Sequence, residues 1–260
     1  MRMRAGLIPG LLFVFLLASS NCTSNLHSLE GRIFFSVRED FVNDYSAGLP
    51  HILLEMRTEK IYGCCNNRLI SEIVRSGSFI AVNLKGVLFP EICLTALGPA
   101  TSRDFLDLPE GVYSLNFQQW SVPDRYTLTV KKDAIEITPM LSTFTAPEYT
   151  EFWRYPENSF AYYCGTLTQT AWICDDFAAH LLGEIDLEEF HFPDTGEICY
   201  PPSGRGHYYD SPPRYFKYKK EQDFDLAGEL LRAYAERLII PNQGTTIGIR
   251  NWKNQSYFSF

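Results

Sequence analysis

Carboxylates and histidines in the second half of the chain are the residues best able to do chemistry. Asp176, His180 and Glu184 are four residues apart, so they share one face if this segment is helical. At that spacing a carboxylate and an imidazole can bind a metal ion or move protons. The same spacing more often gives an exposed stripe of mutually stabilising charges, which is the interpretation that we favour here.

Two other polar groups follow this segment. His191, Asp194 and Glu197 lie beside a proline and a glycine, which indicates a turn between strands. Ser203 and His207 are close in sequence, but their neighbours match neither a nucleophile elbow nor a phosphate-binding glycine loop. We therefore expect no catalytic residues, no cofactor and no metal. The enzymatic alternative is an envelope hydrolase, metal-dependent or not, with its site in the C-terminal half.

An aromatic loop rich in proline and glycine is the most unusual stretch of the sequence. Between Tyr200 and Tyr215, two Pro-Pro pairs bracket a glycine-containing tip. Prolines limit the entropy that a loop loses on ordering, and Tyr and Arg often dominate contact energies. As a binding loop it would hold a polypeptide or a glycan; the alternative is a stiff arm that folds back on its own domain. The candidate contact residues are Arg205, His207, Tyr208, Tyr209, Arg214 and Tyr215.

The cysteines bear on the compartment in which the chain folds. Apart from the one nearest the N-terminus they form an even set: Cys64, Cys65, Cys93, Cys164, Cys174 and Cys199. Half of them lie in each part of the chain, so either one disulfide joins the parts or each part keeps an unpaired cysteine. We expect one bond in each part, with Cys64 or Cys65 reaching Cys93 from a strand. Burial as small apolar side chains is the alternative, and the lack of a CxxC pair disfavours zinc.

The first residues have the order of an export signal. Arg2 and Arg4 precede an apolar core from Leu7 to Ala18, and small residues follow. The core is about 12 residues long, whereas a membrane-spanning helix needs about 20. We therefore expect residues 1–22 to be a signal peptide and the remainder to be extracytoplasmic, where thiols are readily oxidised.

The end of this segment, Leu16 to Cys22, resembles the signal of bacterial lipoproteins, in which a short apolar and small stretch ends at a cysteine that becomes acylated. The box is loose, because Ser19 stands where Leu is usual. The resemblance implies lipidation of Cys22, attachment to the membrane through that lipid and a location in the cell envelope. The alternative is cleavage before Asn21, which would give a secreted, unanchored protein.

Short alternating segments dominate residues 31–140. Val112 to Phe117 alternates with period two, so that Tyr113, Leu115 and Phe117 share one face, and Arg125 to Val130 repeats the pattern. Further candidate strands are 32–38, 51–56, 61–65, 69–74, 78–84, 92–97 and 134–137. Short strands separated by turn residues predict a β-sandwich.

One of these strands also carries a resemblance. The stretch Leu108-Pro109-Glu110-Gly111-Val112-Tyr113-Ser114-Leu115 resembles a strand of immunoglobulin-like and prealbumin-like modules, where a Pro-x-Gly turn leads into an alternating Tyr-x-Leu strand. The resemblance implies an immunoglobulin-like sandwich for residues 31–140. It implies no site residue.

Residues 150–260 mix helices with strands, after a junction rich in proline and threonine. Strands are expected at 159–164, 191–200, 215–219, 245–250 and 255–260, with a first helix inside 171–190. Asp223 to Leu238 is the strongest helix, capped by Asp223 or Asp225. Its residues at helical spacing are Leu226, Leu230, Ala233, Tyr234 and Arg237. The order β-α-β-β-α-β predicts a ferredoxin-like domain, and the whole chain is expected to be mainly β with an α+β part.

The overall charge narrows the range of partners. The net charge is −8, and removal of the two arginines of the signal would make it more negative. An acidic surface argues against nucleic acid as a partner. The aromatic content of 15% predicts a large core, an adhesive face, or both. The sequence therefore favours an exported, lipid-anchored envelope protein that binds or scaffolds a protein or glycan partner.

Overall fold

The protein is mainly β in a computed structural model that describes residues 26–43, 46–119, 121–202, 209–210, 212–240 and 244–259, with only the backbone of 209–210. The strands in the first half are β1 Leu26–His27, β2 Ile33–Asp40, β3 His51–Tyr62, β4 Arg68–Ser76, β5 Phe79–Leu88, β6 Gly98–Leu106, β7 Gly111–Gln119, β8 Val122–Val130 and β9 Ala134–Leu141. The later strands are β10 Thr145–Pro147, β11 Glu151–Trp153, β12 Ser159–Thr166, β13 Leu187–Phe190, β14 Glu197–Ile198, β15 Tyr209–Asp210, β16 Arg214–Tyr218, β17 Thr246–Asn251 and β18 Ser256–Phe258. The α-helices are α1 Trp172–Glu184 and α2 Glu221–Leu238.

The larger sheet is mixed and has the order β10-β2-β3-β6-β4-β5-β7-β8-β9-β11-β14, with β1 added beside β5. The sheet curls, because Phe35 on β2 packs on Phe117 of β7 and Tyr126 of β8 at ring distances of 4.5 and 4.9 Å. These strands are far apart in the strand order, so contact between them requires the sheet to bend over a shared core. The fold is therefore a curled mixed sheet.

The period-two pattern of β7 and β8 decides which side chains enter this core. Tyr113, Leu115 and Phe117 are buried in β7, and Tyr126, Leu128 and Val130 are buried in β8. The intervening polar residues are exposed or half-buried. Removing this apolar area from water is the main favourable contribution to folding. The alternation in the sequence predicts which residues of β7 and β8 provide it.

The smaller sheet has the order β13-β16-β12-β17-β18, with β15 beside β12, and its described neighbours are all antiparallel. Its two faces bury different residues. Phe160, Tyr162 and Phe216 pack under α1 and α2, whereas Ala161 and Tyr215, one position away, join the core of the larger sheet. The smaller sheet therefore lies between the helices and the larger sheet.

The helix face of α2 differs from the expected one. α2 begins at Glu221, two residues before the expected start, with Lys220 at the N-cap. Asp223 caps the helix from its third position, where its carboxylate accepts a hydrogen bond from the backbone N–H of Lys220 at 2.8 Å. Leu226 is 40% exposed, however, and the buried positions include Phe224 and Leu231. Phe224 and Leu231 are seven residues apart, which is about two helical turns, so both side chains reach the sheet. This face buries more apolar area than a face centred on Leu226 would.

Several strand boundaries also need correction. Residues 92–97 form no strand, and β6 follows them instead, at a segment whose Gly98, Pro99 and charges hid it in the sequence. Within 191–200 only β14 is extended, while β13 lies just before it. β11 and β14 join the larger sheet although they lie within 150–260. The division into domains at 31–140 and 150–260 stays a prediction.

Candidate ligand-binding cleft between the sheets

A cleft of about 790 Å³ is lined by residues from both sheets, which we call the inter-sheet cleft. Its volume lies in the range typical of small-ligand sites, about 300–1,000 Å³. Aromatic side chains dominate its apolar lining: Trp153, Tyr155, Phe190, Phe192 and Trp252. All five stand at strand ends or in loops, and each is only half-buried. The cleft therefore combines concave shape with accessible ring surface.

A buried ion pair forms part of this lining. Glu39 on β2 is 3% exposed, and its carboxylate accepts hydrogen bonds from Nε of Arg154 at 2.8 Å and from the backbone N–H of Tyr155 at 2.7 Å. Nη1 of Arg154 donates to the carbonyl of Lys131 at 2.6 Å. A buried charge is tolerated only when it is paired and hydrogen-bonded, as it is here. This network fixes the segment after β11 against β2 and the turn between β8 and β9.

Trp153 is held in place by the loop that precedes β14. Its indole Nε1 donates to the carbonyl of Thr195 at 2.6 Å. Gly196 next to it has φ of +79°, and a Cβ there would lie 3.0 Å from the indole nitrogen. Only glycine combines this backbone angle with so close an approach, so the glycine allows the loop to hold the ring.

Trp252 is fixed on the smaller-sheet side of the cleft. Its indole N–H donates to the hydroxyl of Tyr218 at 3.0 Å, and its backbone N–H donates to the carbonyl of Ser159 at 3.0 Å. Nζ of Lys253 lies 5.2 Å from the indole centroid, within the range of a cation–π contact. Because both indole N–H groups are bonded inside the protein, what Trp153 and Trp252 offer to a ligand is ring surface.

The charged residues that line the cleft are of both signs. Lys132 and Lys217 are balanced by Glu110, Asp133 and Glu157, and all five side chains are exposed. Nζ of Lys217 lies 5.3 Å from the ring centroid of Phe190. The cleft thus offers hydrogen-bond donors and acceptors beside rings, without a strong excess of either charge.

Beneath the cleft, aromatic rings surround a buried thiol. Tyr155 and Tyr200 are in edge contact at 5.0 Å, and Tyr200 stacks on Tyr215 at 5.7 Å. Burial raises the pKa of the Cys199 thiol well above its ordinary value, and the nearby Glu39 carboxylate adds to the shift. Burial likewise raises the pKa of Tyr215 to about 12. These groups therefore stay neutral near neutral pH and serve as packing.

The expected polar stripe lies on α1. Asp176 and Glu184 are exposed and His180 is half-buried. The hydroxyl of Tyr234 on α2 donates to Oδ2 of Asp176 at 2.6 Å, which ties the helices together. Burial, followed by this carboxylate, raises the pKa of Tyr234. Within the described ranges no group of His, Cys, Asp and Glu side chains is arranged to hold a metal ion.

The second polar set lies apart from that stripe. His191, Asp194 and Glu197 are exposed in and beside the connection between β13 and β14. Ser203 and His207 lie outside the described residues.

The proposed binding loop is described only at its ends. Arg205, His207 and Tyr208 lie outside the described residues, and Tyr209 is described only as backbone, in β15. Arg214 makes a two-point ion pair with Glu189, through Nε and Nη2 at 2.6 Å each. Tyr215 is 8% exposed in the core. Both of these side chains therefore serve internal contacts.

Disulfides join Cys64 to Cys93 and Cys164 to Cys174, with Cα–Cα distances of 5.2 and 5.7 Å. Both distances fall within the usual range for disulfides, about 4.4–6.8 Å. Among the described cysteines, Cys65 is free and exposed, and Cys199 is free and buried. One bond and one free cysteine in each part agree with the expectation. The position of the first bond differs from the expected one on a strand, because Cys64 and Cys65 lie in the turn after β3, on the surface.

Sequence reasoning did not identify the aromatic residues that line the cleft. It found only that the high aromatic content is compatible with an adhesive face. A local signal is present, since Trp153 and Phe192 each lie within three residues of a proline in a connecting segment.

Comparison with models of protein families, with curated proteins and with solved structures finds no match to this chain. None of the helices in the described ranges is long and apolar enough to span a bilayer.

Proposed function

We propose that this is an exported protein of the cell envelope, anchored by lipid on Cys22, which acts as a binding or scaffolding module. The observation that supports export best is the pairing of Cys64 with Cys93 and of Cys164 with Cys174. Such bonds persist in oxidising compartments and are rare in the reducing cytosol. The charged and apolar order of residues 2–18 supports the same compartment.

The anchor is tested by the mass of the mature N-terminal peptide. We expect cleavage before Cys22 and the added mass of diacylglycerol on its sulfur, and Cys22→Ser should release the protein from the membrane fraction. A free amine on Asn21 would exclude the anchor while leaving export intact. A full-length, uncut chain with reduced cysteines in the cytosol would contradict the whole proposal.

The inter-sheet cleft is the binding site in this proposal. It has the volume of a ligand site, half-buried rings held by internal hydrogen bonds, and donors and acceptors of both signs. The aromatic loop between Tyr200 and Tyr215 stays a second candidate for contact with a protein or glycan partner, and its residues 203–208 lie outside the described residues.

We also propose finer names for the two parts of the fold. The smaller sheet supports a ferredoxin-like arrangement, because β12 lies between β16 and β17 and each helix joins strands that run in the same direction. The packing of β2 against β7 and β8 supports an immunoglobulin-like sandwich for the first part. An experimental structure that gives the handedness of the crossovers and the strand pairing tests both names.

A further inference from the structure

We propose that the inter-sheet cleft binds an uncharged oligosaccharide, which it holds by stacking sugar rings on Trp153 and Trp252. This inference deepens the proposed binding function and rests on the cleft being its site. It does not depend on the anchor at Cys22.

The first argument comes from the rings. The face of an aromatic ring carries negative charge density, and it therefore attracts C–H groups that carry slight positive charge. One face of a pyranose ring presents such C–H groups, while its hydroxyls point to the sides. Trp153 and Trp252 have their N–H groups bonded to Thr195 and Tyr218, so their orientation is fixed before a ligand arrives. A ring that is already fixed loses little entropy on binding.

The second argument comes from the charges. Hydroxyl groups need both donors and acceptors, and the cleft offers donors in Lys132 and Lys217. Its exposed acceptors are the carboxylates of Glu110, Asp133 and Glu157. A phosphorylated or sulfated ligand would need an excess of cations, and a basic ligand would need an excess of carboxylates. Glu39 and Arg154 are paired with each other, which leaves two lysines against three carboxylates, an imbalance of a single charge in the described lining. An uncharged, hydroxyl-rich chain fits this balance.

The experiment uses the purified mature protein, in detergent if it carries lipid. Four uncharged probes, cellohexaose, maltohexaose, xylohexaose and chitohexaose, are titrated by calorimetry and followed by tryptophan fluorescence. We expect at least one probe to bind with a dissociation constant in the micromolar to millimolar range. Trp153→Ala and Trp252→Ala should each weaken its binding at least about tenfold. The matched control is Trp172→Ala on α1, which is 55% exposed and does not line the cleft.

A second measurement needs no variant, in case the alanine proteins do not fold. Hydroxyl-radical footprinting of the wild-type protein should show that the bound probe lowers oxidation of Trp153 and Trp252 but not of Trp172. The inference is overturned if no probe binds at millimolar concentration, if both cleft variants bind the probe as strongly as the wild type does, or if an uncharged peptide mixture protects the two rings and the sugars do not. None of these outcomes depends on the mass of the mature N-terminal peptide. The experiments therefore distinguish failure of the oligosaccharide proposal from failure of the proposed anchor at Cys22.

Discussion

Asp124 on β8 organises the turn that leads into β10, and its removal gives a sharp test of the fold. The side chain is 0% exposed. Its Oδ1 accepts from the N–H of Thr143 at 2.8 Å, and its Oδ2 accepts from the N–H groups of Phe144 and Thr145 at 2.9 and 2.7 Å and from the Thr145 hydroxyl at 2.8 Å. Burial alone would raise the pKa of Asp124, but these hydrogen bonds outweigh it and lower the pKa.

The perturbation is Asp124→Asn, which keeps the shape of the side chain. An amide nitrogen then replaces one acceptor oxygen, so a buried N–H faces another donor. An unsatisfied buried donor costs about 1–3 kcal/mol, and a hydrogen bond to a charged group contributes about 1.5–3 kcal/mol. We expect the free energy of unfolding at pH 7, measured by urea denaturation, to fall by about 3 kcal/mol. The exposed control Asp107→Asn should change it by less than about 0.5 kcal/mol.

The pH dependence provides the second half of the test. The folded pKa of Asp124 lies below the unfolded value of about 3.9, so its contribution is present above that pH and is lost as the pH falls through the lowered folded pKa. The difference between wild type and variant should therefore be largest near neutral pH and shrink below about pH 4. A loss below about 1 kcal/mol at pH 7, or a difference that stays constant into acid, would refute this role for Asp124.

Three further outcomes follow from other contacts. In the native protein a maleimide should label Cys65 rapidly and Cys199 only after denaturation, because Cys199 is buried with a raised pKa; equal labelling by mass spectrometry would contradict the fold. Gly228→Ala should cost about 1–3 kcal/mol in thermal or urea unfolding, since its Cβ would lie 2.5 Å from an aromatic ring of β18. In the control Gly183→Ala the added Cβ would meet no atom within 4 Å, so this variant should stabilise α1 by about 0.5–1 kcal/mol. A change of the free energy of unfolding in the same direction in both variants would contradict this argument. Arg154→Met should lower the free energy of unfolding by about 3–5 kcal/mol, because it leaves a buried carboxylate unpaired, and a loss under about 1 kcal/mol would exclude that network.

Strands and helices were predictable from the sequence in segments where the apolar residues repeat with a single period. β7 and β8 alternate, and the structure buries the residues that the alternation selects. α2 was found because its length and capping residue give a strong signal. The rotation of its buried face was not found, since only the sheet beneath determines which of several apolar residues it contacts. β6 was missed because pairing on both sides stabilises a strand whose own composition does not favour one.

The candidate site could not be predicted in the same way. Asp176, His180 and Glu184, which the sequence singled out, lie on α1, where Asp176 and His180 contact Tyr234 of α2, and none of the three lines the cleft. The rings that line the cleft come from different strand ends and loops, and no fixed spacing marks them. Their shared position is a property of how the two sheets meet.

The sequence by itself determined the strand-rich composition, the faces of the alternating strands and the presence of α2, because these depend on neighbours a few residues away. Only the tertiary structure decided that Cys64 rather than Cys65 bonds Cys93, that Cys164 bonds Cys174, how the sheet curls and where the cleft forms. Arg154 and Glu39, for example, are separated by 115 residues. Such a contact is selected by the free energy of the whole packed chain, in which a buried charge must find its partner, and no local pattern encodes it.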